Sequence, residues 1–191
     1  MKQEYNAYSG YGPSGYNDLT GDYANADWGV YNKISNGGNT DGLWRTLSSE
    51  EWKYLLSQRK TPSMIRFAKG IVNGVNGLII LPDNWNGTNY VLSSINYTED
   101  GFNSNTISAD DWMNIFEPNG AVFIPAAGWR EGITLKDLGE RGSYWSTTHD
   151  SYSSNSANAV IFTDSGMNGY NYNSSEYKKH GLSVRLVQEL D

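Results

Sequence analysis

Two stretches of the chain carry apolar residues at helical spacing. Ser48 followed by Glu51 spells a capping box, and Trp52, Leu55 and Leu56 then fall at the i, i+3, i+4 positions of one helix face. Ser108 with Asp111 repeats the device ahead of Trp112, Ile115 and Phe116. A short apolar run ending in proline follows each predicted helix: Gly77 to Pro82 after the first, Gly120 to Pro125 after the second. Both runs read as strands, and their differing spacing makes them an echo rather than a true repeat.

The last third reads as β structure. Gly142 to Thr147 and Ala157 to Thr163 are strand-like, and between Gly181 and Glu189 the residues Leu182, Val184 and Leu186 alternate with Ser183, Arg185 and Val187. Long polar loops over 84–106 and 164–180 separate the strands, and loops longer than about 15 residues are usually functional or disordered. Residues 1–42 are rich in Gly, Tyr, Asn and Asp without a helical or strand period, and read as loops and short strands. Two helices followed by a run of strands predict an α+β domain.

Composition narrows the function classes. With 191 residues, 18% charged and a net charge of -7, the chain is the size of one globular domain. It has no cysteine, which excludes thiol nucleophiles, disulfides and cysteine zinc sites. No apolar run approaches the roughly 20 residues of a membrane helix, so no insertion into a bilayer is expected. The opening Met1-Lys2-Gln3-Glu4-Tyr5 leads into a polar stretch, so an export signal is expected outside this chain. Fourteen basic residues against 21 acidic ones, with no basic cluster larger than Lys178-Lys179, argue against a nucleic-acid partner.

Few residues offer catalytic or metal chemistry. Gly10 to Gly15 fits G-x-G-x-x-G, but Pro13 sits inside it and neither a strand nor a helix flanks it. Ser146, His149 and Asp150 are too close in sequence to converge easily as nucleophile, base and orienter. His149 and His180 read as solvated loop residues. Glu50-Glu51 and Asp110-Asp111 sit in first helical turns, where the helix dipole and capping explain them. Glu117-Pro118-Asn119 spells a calcium- and sugar-binding tripeptide, yet a helix terminated by Pro-Asn-Gly explains it better. Neither a cofactor nor a metal is expected.

The segment 149–180 is distinctive in composition: 16 of its 32 residues are Asn, Ser or Tyr. Binding loops of antibodies use the same vocabulary, Tyr for rigid amphipathic contact and Ser, Asn and Gly for adaptable hydrogen bonds. A solvated, repetitive loop has a similar composition.

Four motifs in order resemble a known family. Trp44-Arg-Thr-Leu-Ser-Ser-Glu-Glu-Trp52, Gly120 to Arg130, Gly142-Ser-Tyr-Trp-Ser-Thr-Thr148 and Gly181-Leu-Ser-Val-Arg-Leu-Val187 look like the framework of bacterial C-type-lectin-like domains of gut Bacteroidetes. That group includes the Fibrobacter succinogenes major paralogous domain group and the variable proteins of diversity-generating retroelements. The resemblance covers roughly 27–188 and divides the chain into a loop-rich N-terminal segment, 1–26, and a ligand-binding domain, 27–191. It implies a C-type-lectin-like fold of the formylglycine-generating-enzyme type, with two helices packed on short antiparallel sheets. That enzyme's oxidase chemistry needs cysteines and is not implied.

By the same resemblance, Tyr144, Trp145, Ser146, Thr147, Ala157, Val160, Phe162, Gly181, Ser183, Val184 and Arg185 match framework positions. His149, Asp150, Tyr152, Asn155, Asn158, Ile161, Asp164, Met167, Asn168, Tyr170, Tyr172 and Tyr177 match positions that vary and would contact the ligand. Lys178 and Lys179 depart from the variable pattern. The expectation is therefore a non-enzymatic ligand-binding module, a retroelement variable protein or related surface adhesin, with 149–180 as its recognition face. Its partner would be a protein or glycan on a cell or phage surface, and its location extracellular, at the cell surface or on a phage particle. The alternative is a structural domain of a larger surface protein with a fixed partner.

Overall fold

The computed structural model describes residues 18–19, 27–88, 90–168 and 174–188. Most of the predicted loop-rich segment 1–26 lies outside the described residues, as do Tyr170 and Tyr172.

The helices begin where the caps predict and end sooner than their apolar spacing implies. After α1 (Trp28–Tyr31), the second helix, α2 (Ser49–Lys53), starts at Ser48, whose hydroxyl accepts the Glu51 amide while Glu51 reaches back to the Ser48 amide. Its backbone then widens into one π turn over Tyr54–Gln58, and the chain leaves through Arg59, whose ψ of 125° is no longer helical. α3 (Ala109–Asp111) is capped by Ser108, passes through a π turn over Trp112–Phe116 and ends in a 3-10 turn, Glu117–Asn119. Gly120 closes it at φ 87°, a left-handed conformation that glycine adopts without strain.

The strands are β1 (Arg45–Thr46), β2 (Phe67–Val72), β3 (Val75–Ile80), β4 (Thr106–Ile107), β5 (Val122–Pro125), β6 (Trp129–Glu131) and β7 (Thr134–Lys136), then β8 (Arg141–His149), β9 (Ser156–Thr163), β10 (Met167–Asn168), β11 (Ser174–Tyr177), β12 (His180–Gly181) and β13 (Leu186–Val187). They form four small sheets. One has the order β4-β2-β3-β5, with β4 parallel to β2. In the second, β9 is paired along one edge by β8 and along the other by β10 and β11. The third is β12-β6-β7, and the fourth joins β1 to β13.

This architecture corrects the predicted fold class. The chain is mostly β, 35% strand against 17% helical, with several small sheets and short helices, and is not clearly a C-type-lectin-like α+β fold. The physical reason lies at the helix exits. Each helix offers only about two turns of apolar face before Arg59 or Pro118 ends it, so strand pairing carries most of the backbone hydrogen bonds.

Strand alternation places the core on both sides of the β4-β2-β3-β5 sheet. Phe67, Leu78, Ile80 and Ile124 face Trp52 and Leu56 of the first helical segment, together with Tyr144, Val160 and Phe162 of β8 and β9. Ile79, Leu81 and Val72 face the other way and pack with Phe116, Trp85 and Ile107, with Trp112 at the margin. The two helical segments thus cover opposite faces of one sheet. Aromatic contacts knit the first cluster: Tyr144 stacks on Phe162 at 6.1 Å between centroids, and Phe102 meets Phe162 edge-on at 6.3 Å.

Two further elements depart from the pattern reading. The β2–β3 hairpin turns at Asn73-Gly74, both at positive φ (48° and 78°), the requirement of a type I′ turn. The predicted continuous strand over 181–189 is interrupted: Ser183 bonds laterally to β8, accepting from the Trp145 amide at 3.0 Å and donating to Ser143 at 2.9 Å. The chain then departs to pair with Arg45 and Thr46.

Candidate recognition surface

β8 and β9 form the frame on which the site is built. Their register shifts between Trp145 and His149, and in that bulge the Ser146 hydroxyl donates to the Asn158 carbonyl at 2.8 Å. A bulge re-aims the chain that follows it. Here it leads into the 150–155 connection, where Asp150 is only 7% exposed. The Asp150 carboxylate accepts the Tyr152 amide at 2.8 Å and the Ser175 hydroxyl of β11. That is an Asx turn tied to a neighbouring strand. Two more bonds pin the connection from the other side: the Lys178 amide donates to the Asn155 carbonyl at 2.9 Å, and the Lys178 ammonium to the Ser154 carbonyl at 3.0 Å. Burial lowers the Lys178 pKa, and the Asp150 carboxylate opposes that shift.

The result is a fixed backbone presenting a free ring. Tyr152 is 96% exposed. Tyr177, at the end of β11 opposite Ser156, is half-exposed, with Lys179 Nζ 5.6 Å from its ring centroid. His149 lies at the mouth of the same loop, half-buried, with Nδ1 2.6 Å from Asp18 Oδ1 and its amide donating to the same oxygen at 2.7 Å.

A cluster that the chain pattern did not predict packs beside the β8–β9 sheet. Trp129 is its hub: His180 packs against it at 4.6 Å between centroids, Lys136 Nζ lies 5.1 Å and Arg141 Cζ 5.6 Å from the ring, and its indole N–H donates to Asp137 at 2.8 Å. Arg141 pairs with Glu176, which also meets His180 Nδ1 at 3.1 Å. Glu131 pairs with Lys136, and that ammonium holds the Glu131 carboxyl below the usual range. The Gly132-Ile133 pair between two short polar-apolar runs was the available signal for this hairpin.

The structure gathers some of the predicted contact residues and disperses others. His149, Asp150, Tyr152, Asn155 and Tyr177 converge at the β8–β9 connection. Asp150 works there from beneath, as an anchor. Asn158 is 2% exposed on the core side of β9, its amide nitrogen without a hydrogen-bond partner. Ile161 is buried on β9 and Met167 on the neighbouring β10, where it joins the first core cluster, so these three leave the solvent face. Asp164 and Asn168 are exposed, but toward the far end of β9: Asp164 follows Thr163, itself roughly 23 Å along the strand from Ser156 at about 3.3 Å per residue, and Asn168 pairs with Ile161 from β10. The segment 149–180 therefore does not form one continuous face.

The reading of His180 changes as well. His180 is 8% exposed and belongs to the Trp129 cluster rather than to a solvated loop. Ser146 and His149 find different partners, the Asn158 carbonyl and Asp18, so no nucleophile–base pair forms between them. Glu117-Pro118-Asn119 is the 3-10 turn ending the second helical segment, with the Asn119 amide donating to the Ile115 carbonyl. Among the described residues, no group of three or more His, Asp or Glu side chains converges as metal ligands. No helix among them is long and apolar enough to cross a membrane.

A family model described as a domain of unknown function (DUF8237) matches residues 90–187, half of the chain, and the chain belongs to that family. The matched region contains β4 to β13 and hence both the Tyr152 loop and the Trp129 cluster. No curated protein and no solved structure matches it.

Proposed function

We propose that the protein is a non-enzymatic ligand-binding module, displayed outside the cell, whose recognition surface is the β8–β9 connection and the adjoining end of β11. The observation that carries this reading is Tyr152, a ring exposed to 96% on a loop whose backbone is held by Asp150, Ser175 and Lys178. A tyrosine presented from fixed backbone loses little conformational entropy when it binds, and such aromatic anchors commonly dominate interface energy. The partner is a protein or glycan of a cell or phage surface.

The same geometry suits a surface whose sequence varies. Replacement of Tyr152 touches no core residue and costs within about 0.5 kcal/mol, as surface substitutions usually do, and replacement of Tyr177 loses one edge-on ring contact, with His180 at 5.6 Å. A variable receptor of the retroelement type, or an adhesin, would draw on that tolerance. The test is a glycan array and a panel of immobilised cell-surface proteins, probed with the wild-type chain and with a Tyr152→Ala/Tyr177→Ala variant. The expected result is a partner bound by the wild type and lost by the variant at an unchanged melting temperature. Binding undiminished in the variant would overturn the assignment.

A further inference from the structure

Asn-Gly pairs recur along the chain, at 36–37, 73–74, 76–77, 86–87, 119–120 and 168–169. Such a pair can react with itself: glycine has no Cβ, so its nitrogen reaches the side-chain amide carbon of the preceding asparagine unhindered. The fold holds most of these pairs away from that reaction. The Asn76 side chain donates to the Gly139 carbonyl at 2.9 Å, and Gly77 is buried in β3, where a Cβ would stand 2.5 Å from the Ile124 carbonyl oxygen. The Asn119 side chain donates to the Ile115 carbonyl at 2.7 Å, and the Gly120 amide to Glu117 at 2.9 Å. The Gly37 amide donates to the Ile34 carbonyl at 2.8 Å, with the Trp44 ring against it. The Asn86 side-chain oxygen is held by the Thr88 amide at 3.0 Å. Gly169 lies outside the described residues.

The pair at the β2–β3 turn is held differently. Asn73 and Gly74 are both exposed, and a side chain at Gly74 would meet nothing. The Asn73 amide donates to the Ile107 carbonyl at 2.9 Å, which fixes the entry to the turn. Among the described residues the Asn73 side chain, the Asn73 carbonyl and the Gly74 amide make no hydrogen bond. The φ angles of 48° and 78° are those of a type I′ turn. Rotating the central peptide plane converts it to type II′, the other turn that suits a two-residue hairpin, and leaves the strands in place. In type II′ the first central residue has ψ of about −120°, which swings the Gly74 nitrogen to the side of the Asn73 side chain. The groups moved by that rotation are the two backbone groups without partners, so no hydrogen bond opposes it.

We infer that Asn73-Gly74 is a self-modification site, at which asparagine converts through a cyclic imide to isoaspartate and aspartate. The Gly74 nitrogen bonds to Asn73 Cγ and passes its proton, through solvent, to Nδ2, which departs as ammonia when the Cγ–Nδ2 bond breaks. Water then opens the ring. Attack at Cγ restores the ordinary chain with an aspartate, and attack at the backbone carbonyl carbon routes the chain through Cγ and leaves a free α-carboxylate. Either product adds one negative charge to a chain of net charge -7. The second also adds a carbon to the backbone of a two-residue turn, whose length sets the register of β2 against β3. The inference does not rest on the Tyr152 surface, because the two share no residue.

The experiment is peptide mapping by mass spectrometry, with fragmentation that assigns each conversion to its residue. The full chain is incubated at mildly alkaline pH, folded and, in parallel, unfolded in urea, until the unfolded sample has converted by half. In the folded chain Asn73 is expected to convert at least fivefold faster than any other Asn-Gly asparagine, giving both isoaspartate and aspartate. In urea that preference should vanish, since only the fold separates the six pairs. Gly74→Ala, which puts a Cβ beside the attacking nitrogen, should slow conversion at Asn73 at least fivefold in both samples, so the comparison does not depend on how the variant folds. Faster or equal conversion at any other pair of the folded chain, no conversion at Asn73 while the unfolded sample converts, or an undiminished rate in Gly74→Ala would overturn the inference.

Discussion

The ammonium of Lys69, in the middle of β2, donates at 2.9 Å to the carbonyl of Thr163 at the end of β9, and at 3.0 Å to that of Asp164. Lys69 is 1% exposed. Its charge is met by backbone oxygens and by the Phe102 ring, 5.9 Å away, with no carboxylate in direct contact. Burial lowers its pKa, while the more distant Asp164 and Asp100 oppose that shift. The Asp164 side chain accepts the Phe102 amide at 2.8 Å, so the same short turn is held twice, once by its carbonyl and once by its carboxylate. One lysine thus fastens the sheet built early in the chain to the sheet that carries the recognition loop.

Replacing Lys69 by Met keeps much of the volume but strands the Thr163 and Asp164 carbonyls in an enclosed site. Leaving buried polar groups unpaired is costly, and a loss of about 2 to 4 kcal/mol is expected in urea unfolding. The effect should be local before it is global. Hydrogen exchange at Thr163, whose amide donates to Gly166 at 2.9 Å, should speed up more than exchange in β3.

The first helix cap predicts an acid dependence. Glu51 is held below its ordinary pKa of 4.5, chiefly by the Arg45 guanidinium and then by Ser48, against a desolvation that acts the other way. The unfolded chain therefore takes up this proton first as pH falls. The stabilisation is complete above the unfolded value and is lost as pH falls through the lower, folded one. Glu51→Gln should remove that slope from the acid limb of stability against pH. Ser48→Ala should cost about 1 kcal/mol at neutral pH, the usual value of an N-cap, and a cost below about 0.3 kcal/mol would show that the cap contributes little.

Two glycines separate conformational strain from steric exclusion. Gly74, at φ 78° in the β2–β3 turn, has open space where a side chain would stand. Gly74→Ala should cost only the left-handed backbone penalty, about 1 kcal/mol. Gly128, at φ 70°, would place a new Cβ 2.2 Å from the Lys136 carbonyl oxygen and 3.1 Å from the Leu138 amide nitrogen, both of them backbone atoms. Gly128→Ala should cost at least about 3 kcal/mol by thermal unfolding and shift the β6–β7 hairpin. Similar costs at the two positions would contradict the packing described for that hairpin.

What the sequence determined by itself is the part governed by neighbours along the chain. The caps at Ser48 and Ser108 are three-residue relationships, and both helices begin there. β8 and β9 lie where the apolar patterns of 142–147 and 157–163 placed them. The same pattern could not tell which face of a strand would be covered. Ile161 and Met167 stand among the positions expected to contact a ligand, and both prove to be buried once β9 pairs with β8, β10 and β11. Asp150, Asn158 and His180 are polar residues of a polar stretch, and each is buried by elements distant in sequence. Nothing beside Lys69 in the chain accounts for its burial, which depends on the Thr163 and Asp164 carbonyls brought up by the end of β9. The number of turns each helix keeps, the splitting of the 181–189 run and the docking of the 150–155 connection against the end of β11 were decided by tertiary structure. Burial and long-range pairing depend on which surfaces meet, and hydrophobic periodicity records only that a surface exists to be covered.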